Sequence, residues 1–261
     1  MVENLFRKLK AMVSGAAQSP RTPAATGTDA QPVDVEQCVR QLQALSDAID
    51  PALASADAPE VDARCNDLAQ FLASLEAHSA LPAIRRILGA GYVDLGSAYR
   101  QIRRVAEAEM AYAKAIGVLQ SITHIDEHRL FATAQLAASK NHLGLLYMDC
   151  GPQDKAIAAF DDAIAQRKAL ARQAPGDCWN LVYLGGALCN RAHIARERGE
   201  HRAAMALYDE AIALLDELAP DDDCERSQAR FAAMSAAFPG LPEFARQYRV
   251  NAQDGKRLLP A

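Results

Sequence analysis

Apolar and polar residues between positions 82 and 219 alternate with the period of an α-helix, and short polar turns separate the runs. The stretch LGLLYMDCGPQDKAIAAFDDAI, residues 143–164, contains two such runs around a Gly-Pro pair. Apolar residues three and four positions apart lie on one face of a helix, so the stretch predicts a helical hairpin. We expect Gly151 to end the first helix in a left-handed cap and Pro152 to take the first position of the second. Gly199 marks the same turn in a later stretch.

The hairpin recurs at an interval of 48 residues. Its pattern is set by seven positions: Leu143, Gly144, Tyr147, Ala156, Phe160, Ala163 and Ile164. All seven match in type at the positions 48 residues earlier, whereas only the second half matches 48 residues later. Aromatic residues stand at 112, 160 and 208 in the three copies. A constant interval of this length predicts a tandem array of helix pairs.

Small residues in the copies predict close contact between paired helices. Gly96 and Gly144 lie in the middle of predicted helices, where glycine costs about 1 kcal/mol relative to alanine. We expect the missing side chain to let the second helix approach, with Ala156 and Ala163 small for the same reason. Phe160 is then expected to fill the space between the two helices.

The pattern Leu-Gly-x-x-Tyr, followed by Ala, Phe or Tyr, and Ala, resembles the tetratricopeptide repeat over residues 82–219. The resemblance implies an all-α fold. It would be an α-solenoid, a right-handed superhelix of antiparallel helix pairs with a concave binding surface, containing about three repeats plus capping helices. The family's usual period is about 34 residues, so each helix here gains about two turns and is expected to run about 20 residues. Long-helix variants of this kind are similar to repeats in bacterial signalling and scaffold proteins and in kinesin light chains.

The rest of the chain is divided by composition. The predicted segments are an amphipathic helix at 1–13, a flexible linker at 14–32, a helical cap or degenerate repeat at 33–81, repeats at about 82–124, 125–175 and 176–219, and a capping helix with a tail at 220–261. The linker is rich in Ser, Ala, Thr, Gly and Pro without an apolar period. The helical patterns near 33–50 and 59–79 are consistent with either a cap that has a polar outer face or a degenerate repeat. A helix is expected from Asp221 to about Phe238, and then a short final one.

The first 13 residues form a separate amphipathic pattern. Leu5, Phe6, Leu9 and Met12 fall on one helical face, and basic residues lie elsewhere. The pattern predicts a docking helix on a flexible leash, which would enter a groove of a partner protein or lie on an anionic membrane surface. The alternative is that it folds back onto its own solenoid.

Composition excludes several classes of function. The net charge of −5 gives no general attraction to nucleic acid. No apolar run approaches the roughly 20 residues of a membrane-spanning helix, and no signal peptide is evident, which predicts a cytoplasmic protein that is at most peripheral to a membrane. The six cysteines form no C-x-x-C pair and are expected to be free thiols.

No catalytic or metal site is predicted. His124 and His128 are four residues apart in HIDEH, but this is not the H-E-x-x-H order of a zinc helix. The chain has no G-x-x-x-x-G-K-[ST] phosphate loop and no G-x-S-x-G nucleophile elbow. We therefore expect no enzyme activity, no cofactor and no bound metal.

In the resembled family, the first helix of each pair lines the concave surface. The implied groove residues are Ser97, Arg100 and Gln101 in the first copy, Asn141, Leu145 and Met148 in the second, and Asn190, His193 and Arg196 in the third. NHLGLLY is similar to an NNLAxxY-type stretch whose asparagine binds the backbone of an extended peptide, which implies that role for Asn141 and Asn190. Lysine is absent from these positions, which argues against the family's carboxylate clamp for chaperone C-termini.

The sequence therefore predicts a non-catalytic scaffold or adaptor that binds a peptide or a partner helix in a concave groove. Two alternatives remain open. One is a specialised chaperone for a client protein. The other is a ligand-sensing regulatory subunit, with His193 or His142 as the expected contributors to its pocket.

Overall fold

The computed structural model describes residues 33–55, 57–218, 232, 235–237 and 240–260, all of which lie in helices or their connections. They divide into two compact units, a first unit that ends at His124 and a second unit that begins at Ile125. Several predicted features lie outside the described residues. They are the docking residues Leu5, Phe6, Leu9 and Met12, the predicted linker, Cys224 and most of the helix expected from Asp221.

The first unit contains five described helices. They are α1 (Val35–Asp47), α2 (Ile49–Ser55), α3 (Ala58–Glu76), α4 (Pro82–Gln101) and α5 (Val105–Gln120). The carboxylates of Asp34 and Asp57 accept hydrogen bonds from backbone N–H groups in the first turns of α1 and α3, which fixes where these helices begin. α4 packs against α5 and α3, and α1 packs against α3 and α4.

The second unit also contains five described helices. They are α6 (Asp126–Cys150), α7 (Gln153–Gln173), α8 (Cys178–Glu197), α9 (His201–Leu218) and α10 (Leu241–Arg257). α6 pairs with α7 and α8 with α9, while α10 packs against both α8 and α9. Consecutive helix pairs joined by short turns confirm the predicted all-α solenoid architecture within the unit. At 17 residues, α10 is longer than the short final helix expected, because its face of Leu241, Ala245 and Ala252 is buried.

Glycines bring the paired helices together as predicted. A Cβ atom added at Gly96 of α4 would lie 2.7 Å from Cε1 of Tyr112 on α5. At Gly144 of α6, the corresponding distance to Cε1 of Phe160 on α7 is 2.6 Å. Tyr112 and Phe160 are completely buried, so the absent side chains leave the space that these rings occupy.

The turns between paired helices differ from the expectation at one position. Gly151 has φ −128° and ψ −173°, so the left-handed cap predicted there is wrong. The following residue is Pro152, whose ring forces the preceding residue into an extended conformation, and Pro152 itself precedes the first helical residue of α7. Gly199 is left-handed, with φ +74°. Arg103 has the same conformation in the turn between α4 and α5, with φ +60°.

Candidate functional site

Within the second unit, Leu145 and Met148 of α6 form an apolar contact with α7 of their own pair and α8 of the next pair. Both are partly buried, and they pack against a cluster that includes Phe160 of α7 and Ile194 of α8. Two of the predicted groove residues therefore join α6 to α8. They supply apolar surface beside the polar positions of these two first helices.

Asn141 of α6 contains an unsatisfied polar atom. Its Oδ1 is shielded from solvent and accepts no hydrogen bond from the described part of the chain. Leaving such an acceptor unpaired costs about 1–3 kcal/mol, so buried acceptors of this kind call for a partner. Asn190 of α8 is half-buried, and its amide likewise forms no hydrogen bond among the described residues. Arg196, also on α8, forms no ion pair there.

His193 of α8 is committed to contacts inside its own helix pair. Its Nδ1 lies 2.6 Å from the hydroxyl of Tyr208 on α9, and its Nε2 lies 3.4 Å from Sγ of Cys189. Burial, reinforced by Arg196, lowers the pKa of His193 and favours the neutral ring. A neutral imidazole accepts at one nitrogen and donates at the other, so both nitrogens are satisfied by protein groups.

The positions of Cys189, His193 and Tyr208 resemble those of a nucleophile, a base and an orienting group. The thiol of Cys189 is nevertheless not activated as a nucleophile. Cys189 is 2% exposed, and burial raises the pKa of its thiol to about 12. Only the thiolate is a nucleophile, and at neutral pH this thiol keeps its proton. The arrangement holds two helices together and does not activate the sulfur.

In the first unit, Ser97 of α4 is directed towards α5. Its hydroxyl donates to the carbonyl of Val93 at 2.9 Å and accepts from the hydroxyl of Tyr112 at 3.3 Å. Burial raises the pKa of Tyr112 to about 12, against the opposing effects of Ser97 and Arg100. Arg100 thus lies near the Tyr112 hydroxyl, whereas Gln101 is exposed at the end of the helix.

A small cavity in the first unit contains two of the predicted groove residues. It has a volume of about 20 Å³ and lies between α4 and the α1–α2 segment. Its lining residues are Ser46, Ile49, Asp50, Leu53, Asp94, Ser97, Ala98 and Gln101. Asp94 was not identified from the sequence, because a lone aspartate within a helical pattern reads as a solvated position. It is nevertheless 8% exposed.

The second unit contains a buried cation that the sequence pattern does not predict. Arg167 of α7 is 4% exposed and donates to Oδ1 of Asn180 at 3.2 Å, while Asn180 donates back to the Arg167 carbonyl at 3.0 Å. The guanidinium lies 4.8 Å above the ring of Tyr183. Desolvation lowers the pKa of Arg167 to about 10. These contacts join α7 to the beginning of α8.

The histidines and cysteines show no metal-site geometry where the structure describes them. His124 is exposed and His128 is buried in the first turn of α6. No group of three His, Cys, Asp or Glu residues with ligand geometry occurs in the described ranges. The thiols of Cys38, Cys65, Cys150, Cys178 and Cys189 are free. None of the described helices is long and apolar enough to cross a bilayer.

Comparison with known proteins gives a family-model match for one segment of the chain. No curated protein matches the chain. The family model of the tetratricopeptide repeat matches residues 90–118, which run from the middle of α4 to the last turns of α5. The matched segment includes Gly96 and Tyr112, the residues in contact at the centre of this helix pair. This match shows a tetratricopeptide repeat within the first unit, and the paired helices of both units are consistent with that family.

Proposed function

We propose that the protein is a non-catalytic adaptor that binds an extended peptide along α6 and α8 of the second unit. Tetratricopeptide repeats are typically modules of protein–protein interaction and typically lack catalysis. The observation that carries the proposal is the buried Oδ1 of Asn141, which has no hydrogen-bond partner among the described residues.

The residues around Asn141 suit a peptide backbone. The amides of Asn141 and Asn190 each offer a donor and an acceptor, which is what one peptide unit of an extended chain requires. Leu145 and Met148 offer apolar surface to a side chain beside that backbone, and methionine adapts readily to different shapes. The bound peptide would therefore be held mainly through its main chain, with modest demands on its sequence.

Neither alternative function has a specific observation in its favour. A ligand-sensing subunit that uses His193 would need a free ring nitrogen, but Tyr208 and Cys189 lie at hydrogen-bonding distance from both. A client chaperone would use the same groove and would differ in its partner. The adaptor is the simpler proposal, because it needs only the unpaired amides and the apolar surface beside them.

The N-terminal stretch completes the proposed adaptor. In this proposal Leu5, Phe6, Leu9 and Met12 form one face of a helix that docks on a partner protein, with an anionic membrane surface as the second candidate. Removing residues 1–15 should then abolish recruitment to the cellular location without changing the fold of the rest of the protein. Unchanged location and unchanged binding partners would refute the tether.

The groove is tested by affinity capture with mass spectrometry. The full-length protein is compared with Asn141→Ala plus Asn190→Ala, and with a matched control of Asn66→Ala plus Asn251→Ala, both of which are exposed. We expect one protein to be captured by the wild type and the control and to be lost from the groove variant. Peptides from that protein should then bind at least about tenfold more weakly to the groove variant, a loss of about 1.4 kcal/mol.

Circular dichroism and thermal melting must be unchanged in the groove variant for this result to count. If both double variants retain every partner, the groove assignment is wrong. If both lose the same partner, the effect is not specific to the groove, and the assignment is wrong as well.

A further inference from the structure

We propose that the cavity between the α1–α2 segment and α4 is a binding site for the ε-ammonium group of a lysine side chain in a partner protein. The inference rests on the proposed function only in that the partner is a protein. It concerns the first unit, which the asparagine variants of the second unit do not alter.

Asp94 gives the cavity a carboxylate that forms no ion pair with any described side chain. Its side chain has a single hydrogen bond in the described part of the chain, donated by the hydroxyl of Ser46 to Oδ2 at 2.9 Å. No Lys, Arg or His among the described residues forms an ion pair with it. A carboxylate that is 8% exposed and forms no ion pair with a described side chain is costly in the ionised form. A cation that enters from outside would remove that cost.

The surrounding charges increase this preference for a cation. Asp50 lines the same cavity, and Asp47 lies one turn earlier in the chain. Burial first, and then these two carboxylates, raise the pKa of Asp94 to about 7, while the Ser46 hydroxyl opposes the shift. Gln101 adds a neutral oxygen acceptor to the lining, and the Ser97 hydroxyl, which already accepts from Tyr112, retains one lone pair.

The size of the cavity selects among cations. About 20 Å³ accommodates one water-sized group. An ammonium group is a compact point charge of that size, whereas a guanidinium is a planar fork with three nitrogens. Leu53, which is partly exposed, provides apolar surface for the methylene stem outside the cavity, and lysine commonly lays its stem along such surface. Lysine is therefore favoured over arginine.

The test uses full-length protein with ¹³C-labelled aspartate and follows the side-chain carboxyl resonance of Asp94. The probes are N-acetyl-lysine methylamide, the same compound acetylated at Nζ, N-acetyl-arginine methylamide and potassium chloride. We expect the lysine probe to shift the resonance and lower its titration midpoint. We also expect it to bind at least about fivefold more tightly than the arginine probe, which corresponds to about 1 kcal/mol.

Variants assign the effect to the cavity. Asp94→Asn should abolish lysine-probe binding, measured by calorimetry, and Ser97→Ala should weaken it, while Asp67→Asn on the exposed face of α3 should leave it unchanged. Equal responses to the lysine and arginine probes, or to the acetylated probe, would overturn the proposal. An equal response to potassium chloride would identify an adventitious ion only. Asn141→Ala plus Asn190→Ala must retain lysine-probe binding, so failure of the peptide groove remains distinguishable from failure of this site.

Discussion

The hydroxyl of Tyr208 lies 2.6 Å from Nδ1 of His193, and this contact joins the two helices of one pair. The corresponding positions in the first unit are Tyr112 and Ser97, 3.3 Å apart. In the remaining copy Phe160 has no hydroxyl, and Leu145 packs against the cluster that contains its ring. Buried hydroxyls require partners, and each ring is matched by a neighbour of its own polarity.

Removing the Tyr208 hydroxyl should destabilise the second unit. We expect Tyr208→Phe to lower the free energy of unfolding by about 1–2 kcal/mol, because Nδ1 of the partly buried His193 loses its partner. Urea denaturation followed by fluorescence of Trp179, which lies in this unit, measures the change. Tyr112→Phe, followed by circular dichroism, should cost less, since Ser97 keeps its bond to Val93. An equal loss in both variants would contradict this interpretation.

Adding a hydroxyl at position 160 should destabilise the protein, and a polar neighbour at position 145 should reduce that loss. Phe160→Tyr is expected to cost about 1–3 kcal/mol, because the new hydroxyl is buried beside apolar Leu145 without a partner. Leu145→Ser in the same chain should recover part of that loss. A double-mutant cycle gives the coupling energy, and additive effects of the two substitutions would show that the positions do not interact.

Two glycines of the first unit should respond oppositely to alanine. Gly96→Ala places a methyl group against the buried ring of Tyr112 and should cost about 1–3 kcal/mol. Gly117→Ala serves as the matched control, because its Cβ would have no neighbour within 4 Å in the exposed part of α5. That variant should gain about 0.5–1 kcal/mol from helix propensity. The denaturant midpoints of the two variants measure these changes. A change of the same sign in both variants would refute the proposed close contact.

Arg103 should be replaceable by glycine with a gain in stability. Its φ of +60° is unfavourable for a side chain, although Arg103 N–H bonds to Arg100 and Arg104 N–H to Tyr99 as a left-handed helix end requires. We expect Arg103→Gly to add about 0.5–1 kcal/mol and Gly199→Ala, at φ +74°, to remove about 1 kcal/mol. Thermal melting measures both, and a destabilised Arg103→Gly would indicate that the side chain contributes more than the backbone strain costs.

Asp94 should make the stability of the first unit depend on pH. Burial and the nearby carboxylates of Asp47 and Asp50 raise its folded-state pKa from 3.8 to about 7, so the folded protein binds the proton more tightly. The free energy of unfolding should therefore fall as pH rises from about 4 to about 7 and then level off. Tyr112 on α5 is also coupled to Asp94 but stays protonated throughout this range.

Asp94→Asn should remove that dependence. The variant should be more stable than the wild type at pH 8, by at most about 4 kcal/mol for a shift of about three pKa units. The difference should disappear near pH 4. Urea titrations at a series of pH values provide the measurement, and a constant difference between variant and wild type would show that Asp94 does not titrate as described.

The sequence predicted the paired long helices because their apolar period is sustained over many turns and Gly96 and Gly144 mark the contacts. It did not predict α2, because Pro51 in the first turn of that helix resembles an interruption. Gly151 does end α6, but its backbone is extended rather than left-handed, because the proline that follows it favours that conformation.

The cavity could not be foreseen from periodicity. Ser46 and Asp94 are 48 residues apart and meet only when α1 packs against α4. The Arg167 contacts likewise depend on how α8 begins beside α7. The groove positions of Asn141 and Asn190 are implied by the resembled motif, and both these positions and their use by a peptide stay predictions.

The placement of α10 has a consequence for self-association. A Cβ atom at Gly255 would lie 2.5 Å from the Tyr208 ring, and one at Gly186 would lie 2.9 Å from Tyr248, so α10 fits closely onto α8 and α9. Stacked repeats leave an apolar surface wherever the next helix is missing, and such surfaces make molecules stick to one another. Here that surface is already covered by the same polypeptide. A second molecule could join through this surface only by first displacing α10.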